Sequence, residues 1–222
     1  MVWCVPDRGE RELRNLVIGL YRSGTTALMD ALEAGGLAAI VTDDDVVRRE
    51  HREPSDEQLH AFGFPLNHPD ESVVKMLWPG MAPSLAAMCY ALHPDPDDGY
   101  RAIFIWRHPW EIRRSLEGQA DRIWTDRKTH LTVPWVTKGN AYERGMSRML
   151  AHYRNRQDVT DVYEVQYRSN YRADLLSLEH DAVEIFGELA DRGWPIDAGR
   201  AAATIDVSMC SHRFEDMPEA VA

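Results

Sequence analysis

Two short stretches of this chain bring together residue types that can hold an anion. Residues 19–26 read Gly-Leu-Tyr-Arg-Ser-Gly-Thr-Thr. Glycine lets backbone amides approach an anion closely, and a helix that starts directly afterwards adds unpaired N–H groups and partial positive charge. Thr25 and Thr26 contribute hydroxyl donors, and Arg22 a cation that does not deprotonate. The second stretch, residues 100–116, reads YRAIFIWRHPWEIRRSL. Its apolar run ends in Arg107, Pro109 suits the first position of a helix, and Ser115 falls within that helix. Arg113 and Arg114 are further cations there, and a solvated helix face accounts for at least one of them.

Strands and helices that alternate along the chain must position these residues. Residues 15–20 form a short apolar strand, and Leu28, Ala31 and Leu32 then recur at helical spacing over 25–34. Gly35 and Gly36 end that helix, because glycine accepts the left-handed conformation of a C-cap. Further strands are expected at 37–41, 73–77, 102–106 and 161–165. Helices are expected at 83–92, 109–123, 142–156, 173–189 and 197–205. This alternation predicts an α/β fold with a parallel sheet covered on both faces, and its sites lie at the carboxyl ends of the strands. Both anion-binding stretches begin at such ends.

The chain has 222 residues, suited to one domain over 1–222 with a sizeable core. It is 44% hydrophobic and 27% charged, a globular composition. A formal net charge of −11 argues against nucleic acid, which needs a broad basic face. No apolar run approaches the roughly 20 residues of a membrane-spanning helix. Charges within residues 1–14 oppose a signal peptide, so a cytoplasmic location is expected. Cys4, Cys89 and Cys210 are scattered and do not form a disulfide framework. The nine histidines show no metal-ligand spacing, and no metal is expected.

The spacing of 19–26 is close to the nucleotide-triphosphate loop G-x-x-x-x-G-K-[ST], but Thr25 stands where that loop has lysine. A cation three residues earlier, followed by Ser23, Gly24, Thr25 and Thr26, resembles instead the loop of sulfotransferases that use 3′-phosphoadenosine 5′-phosphosulfate (PAPS). The segment from Arg107 through Pro109 to Ser115 matches that family's R-x-P-x-x-x-x-x-S without a gap. The resemblance covers roughly residues 16–123. More weakly, AGGLAAIVTDDD, VVKMLWPG and IDVSMCSHR are similar to small bacterial and phage sulfotransferase-like proteins. It implies a P-loop three-layer α/β/α sandwich in which the first loop cradles the 5′-phosphosulfate. Arg107 and Ser115 would then bind the 3′-phosphate. A guanidinium, a hydroxyl and a helix N-terminus are a sensible set for one dianionic group.

The chain also departs from the family. A Lys-Thr-His segment carries the general base of cytosolic sulfotransferases, whereas Lys75 is followed here by Met76 and Leu77. Lys75 can still stabilise the sulfuryl group or the leaving oxygen, where charge grows in a loose transition state. The alternative role for this cation is to neutralise an acidic neighbour at a strand end. Related glycan sulfotransferases use a glutamate after the second strand, and an ungapped count places Asp44 there between Asp43 and Asp45. Like charges raise a carboxylate's pKa, which suits a base, although three aspartates also suit a solvated turn. His51 is a second candidate. Ala27 replaces the tryptophan that often stacks on adenine, a role open to Trp78, Trp106, Trp110, Trp124 or Trp135. The family's C-terminal Arg-Lys-Gly loop is missing, and Arg213 is its possible substitute.

The expected activity is transfer of a sulfuryl group from PAPS to a hydroxyl or amine of a small-molecule acceptor. Arg22 and Lys75 would hold the sulfuryl end, with Asp44 taking the acceptor proton. A P-loop kinase and a non-catalytic nucleotide-binding protein are the alternatives. Residues 45–70 and 125–140 are expected to form lids or acceptor walls.

Overall fold

The computed structural model describes residues 13–40, 72–78, 99–117, 136–137, 140–155, 159–168 and 179–205. In chain order these form β1 (Leu13–Leu20), α1 (Thr25–Ala34), β2 (Ala38–Ile40), β3 (Ser72–Trp78) and β4 (Gly99–Arg107). There follow α2 (Pro109–Glu117), α3 (Ala141–Arg154), β5 (Val159–Arg168), α4 (Glu179–Asp191) and α5 (Ala198–Ala203). The strands make one open sheet in the order β2-β3-β1-β4-β5, and every neighbouring pair is parallel.

The central place of β1 explains its composition. A strand with parallel neighbours on both sides is buried on both faces and reads as a nearly continuous apolar run. Alternate side chains then enter different cores. Leu16, Ile18 and Leu20 join Ala102 and Phe104 of β4 in one apolar cluster, with Ile112 and Leu116 of α2. Tyr142, Met146, Met149, Leu150 and Tyr153 complete it from α3, at the spacing of one helical stripe. Val17, Ile103 and Ile105 join a second cluster with Leu28, Met29 and Leu32 of α1. There α4 adds Ile185, Phe186 and Leu189, and α5 adds Ala201 and Ala202.

The expected elements that fall within the described residues are present, most with shifted ends. The strand expected at 37–41 is described as Ala38–Ile40, and that expected at 102–106 runs Gly99–Arg107. Position 41, the helix expected at 83–92 and the outer parts of several expected helices lie outside the described residues. Helix α1 ends in a Schellman turn in which Leu37 N–H bonds the Leu32 carbonyl and Gly36 N–H bonds that of Glu33. Gly36 takes the left-handed conformation at φ 115°, whereas Gly35 remains right-handed at φ −69°.

Helix α1 follows β1 and packs in the second cluster, while α2 follows β4 and packs in the first. Since β1 and β4 are parallel neighbours, their outgoing connections part to opposite faces and leave a crevice beyond their carboxyl ends. Gly19 borders it. A Cβ on Gly19 would meet Ile105 Cγ2 at 2.5 Å, Ser23 Oγ at 2.6 Å and Thr25 Cγ2 at 2.7 Å. Gly19→Ala should therefore destabilise the fold by about 1–3 kcal/mol through overpacking. Chemical denaturation checks this, and a loss below about 0.5 kcal/mol would mean that β1 and β4 do not approach so closely.

Candidate functional site

After β1 the chain turns tightly, with Ser23 N–H bonded to the Leu20 carbonyl at 3.0 Å. Two residues of the turn are left-handed, Arg22 at φ 71° and Gly24 at φ 99°. For Gly24 this costs little, but for arginine it is strain that surrounding contacts must hold. Helix α1 then starts without a side-chain cap from Gly24 and without an acidic residue in its first turn. By contrast, α5 is capped by Asp197, and α2 and α3 carry Glu111 and Glu143 in their first turns. The start of α1 thus presents partial positive charge that no carboxylate of its own first turn offsets.

Two cations approach this turn from different sides. Lys75 lies in the middle of β3, in register with Val17 of β1 and two residues on from Val73. It therefore shares the face covered by α1, and its Nζ donates to Thr26 Oγ1 at 3.0 Å. Lys75 is only 2% exposed. On the other side, Arg22 Nε donates to Ser115 Oγ at 3.0 Å. Arg107 Nη1 donates to the Arg22 carbonyl at 3.1 Å, and Arg107 Nε pairs with Glu111 Oε2 at 3.1 Å. The two stretches singled out in the sequence are thus hydrogen-bonded to each other in the crevice.

The structure divides the predicted site residues into two groups. Thr26 and Lys75 meet at the start of α1, while Arg22, Arg107 and Ser115 meet between the turn and α2. Ser23 and Thr25 are buried inside the turn. The Ser23 hydroxyl has no hydrogen-bond partner among the described residues. Arg113 and Arg114 are exposed and both bond to Glu117, so they belong to the solvated face of α2. Trp110 is buried in α2, and Trp106 makes an edge contact with Tyr142 at 6.0 Å. Asp43, Asp44, Asp45, His51, Trp124, Trp135 and Arg213 lie outside the described residues, as do the side chains of Leu77 and Trp78.

Three residues join the site that sequence reading passed over. Glu111 is fully buried against Arg107, and its separation of four residues is that of neighbours on a helical turn. The Tyr142 hydroxyl accepts the Arg107 backbone N–H at 3.3 Å. Burial pushes that phenol well above its ordinary range, against the lowering influence of Arg107, so it stays protonated. No local pattern marked Tyr142. His108 precedes Pro109, the usual place of an N-cap. Its carbonyl accepts Ile112 N–H at 3.1 Å and its Nδ1 accepts Trp110 N–H at 3.2 Å.

Among the described residues no group of three or more His, Cys, Asp or Glu side chains is arranged to hold a metal. No described helix is long and apolar enough to cross a membrane. Compared with known proteins, the chain matches no family model and no curated protein.

The His108 cap makes α2 sensitive to acid. Nδ1 can accept only when unprotonated, which places the proton of the neutral ring on Nε2. Desolvation lowers the pKa of His108 below its ordinary 6.5, and Glu143 opposes the shift. The folded state thus favours the neutral ring. Its contribution is complete above 6.5, the unfolded value, and is lost as pH falls through the lowered folded value. His108→Asn keeps a capping acceptor but does not titrate. Acidification from about pH 7.5 to 5 should therefore destabilise the native chain by about 0.5–2 kcal/mol more than the variant, the range of a lost cap. Denaturant midpoints at the two pH values check this, and equal acid sensitivity would remove His108 from the cap.

Proposed function

We propose that the chain is a PAPS-dependent sulfotransferase, a P-loop three-layer α/β/α sandwich working in the cytoplasm on a small-molecule acceptor. The observation that carries this reading is the hydrogen-bonded junction of Arg22, Arg107 and Ser115 at the switch point between β1 and β4. Those residues come from the two motifs that resemble the family's binding sites for the two ends of PAPS. Parallel strands, a helix start without its own acid and a buried lysine at that start supply the rest of the support.

In the proposed reaction an acceptor oxygen or nitrogen attacks sulfur while the bond from sulfur to the bridging oxygen breaks. The acceptor proton passes to Asp44, and adenosine 3′,5′-bisphosphate leaves. The turn 23–26 and Lys75 hold the phosphosulfate, and Arg107 and Ser115 hold the 3′-phosphate. Arg22 suits the sulfuryl end by its place in the loop, and its hydrogen bond to Ser115 links that end to the residues proposed for the 3′-phosphate. Lys75 offers a compact positive charge to the bridging oxygen as negative charge builds there.

Nucleotide choice tests the reading first. Adenosine 3′,5′-bisphosphate should raise the melting temperature more than ATP with magnesium does, because only the former has a 3′-phosphate for Arg107 and Ser115. A larger shift with ATP-magnesium would reassign the chain as a nucleotide kinase.

The second test concerns Lys75 and needs no known acceptor, since water can take the sulfuryl group slowly. Lys75→Met keeps most of the buried volume but loses the charge. Sulfate release from PAPS should fall about 10²–10³-fold, the usual cost of removing one group that stabilises a transition-state charge. Affinity for adenosine 3′,5′-bisphosphate should change by less than about threefold, because Lys75 acts mainly on the transition state. Unchanged sulfate release would make Lys75 a structural residue of β3.

A further inference from the structure

Glu111 is the fully buried carboxylate among the described residues, and its charge must be compensated where it stands. Its Oε2 receives Arg107 Nε at 3.1 Å. The same guanidinium reaches on through Nη1 to the Arg22 carbonyl at 3.1 Å. The Arg22 side chain in turn donates to Ser115, which lies four residues beyond Glu111 on α2 and so on the same side of that helix. The contacts close a circuit from α2 through Arg107 and Arg22 back to α2. Arg22 is held in it at both its carbonyl and its guanidinium, and among the described residues it is the non-glycine residue with positive φ. Strained backbone persists only where its surroundings over-determine it, and this circuit provides two such restraints.

We propose that Glu111 is a positioning residue for the anion loop. It orients the Arg107 guanidinium so that Nη1 grips the Arg22 carbonyl and keeps the turn from β1 into α1 in its left-handed form. The inference rests on reading residues 19–26 as an anion loop, and it adds a residue outside either recognised motif position. A carboxylate acting only as a counter-charge would do the opposite of positioning. Its removal would leave the loop in place and strengthen anion binding by raising the local positive charge.

Two substitutions separate these roles. Glu111→Gln keeps an oxygen for Arg107 Nε–H but loses the charge, whereas Glu111→Met fills similar volume and loses both. In the unliganded chain, amide hydrogen exchange at residues 22–24 should accelerate by about tenfold or more in the Met variant, from loss of a charge-assisted hydrogen bond. The Gln variant should restore most of the protection, and exchange at residues 185–189 of α4 should stay unchanged in both. Isothermal titration with adenosine 3′,5′-bisphosphate should show about tenfold weaker binding for Met, with Gln closer to the native chain. Arg107→Lys covers the case in which the Met variant does not fold. Lysine keeps the charge pair, but one ammonium cannot reproduce the guanidinium's fork to Glu111 and Arg22, so loop exchange should again accelerate.

Unchanged loop exchange, or an equal rise in α4, would overturn the proposal, as would tighter nucleotide binding by both Glu111 variants. If the native chain binds no adenosine 3′,5′-bisphosphate, the sulfotransferase reading fails, and the exchange measurements alone still decide the role of Glu111.

Discussion

A buried guanidinium needs acceptors on several sides, and Arg107 meets that need by tying three separate stretches of chain together. Its side chain reaches Glu111 in α2 and the carbonyl of Arg22 in the turn after β1, and its backbone N–H reaches Tyr142 in α3. Each contact requires β4 to end beside β1, with α2 and α3 covering the same face. The parallel pairing of β1 with β4 delivers that placement, and the apolar cluster of Leu16, Ile18, Phe104, Ile112 and Tyr142 fixes it. Only the packed sheet brings together cations that lie 85 residues apart in the chain.

The overall charge of −11 makes this local arrangement more demanding. An acidic protein repels an anionic ligand at long range, so any affinity must come from short-range contacts in a low-dielectric crevice. Among the described residues, two acids of α2 are committed. Glu111 is held by Arg107, and the exposed Glu117 is engaged by Arg113 and Arg114. The first turn of α1, meanwhile, carries no acid.

Much of this architecture is legible in local sequence. The apolar run before Gly19 and the helical period from Thr25 gave β1 and α1 within two residues, and Arg107 and Pro109 marked the end of β4 and the start of α2. Strand order is not local. The pairing of β1 with both β3 and β4 depends on contacts across 58 and 86 residues, as Gly19 lies beside Leu77 on one side and Ile105 on the other. The residue types of the two anion-binding stretches were readable, but their mutual hydrogen bonds were not. Sequence treats Arg107 as a cation awaiting a ligand, whereas the packed protein commits the same side chain to Glu111 and Arg22. His108 was readable in principle, since a polar residue before a helix-opening proline is well placed to cap. Glu111 shares its helix with the charged Arg113, Arg114 and Glu117, and only its burial, which depends on tertiary packing, sets it apart.

The two kinds of cation suit different tasks in the proposed reaction. Arginine stays charged and spreads its donors over a rigid fork, which favours a fixed scaffold and a ligand group whose charge does not change. Arg107 and Arg22 have that setting, locked to each other, to Glu111 and to Ser115. Lysine is a point charge on a flexible stem, better matched to an atom whose charge rises during the reaction. Lys75 has that setting, reaching from the middle of β3 to the first turn of α1. In the proposed reaction, separating them across the turn would let the ligand be gripped at one end without opposing charge movement at the other. Binding energy at the unreactive end can then be used for alignment, which is where in-line transfer gains most of its rate.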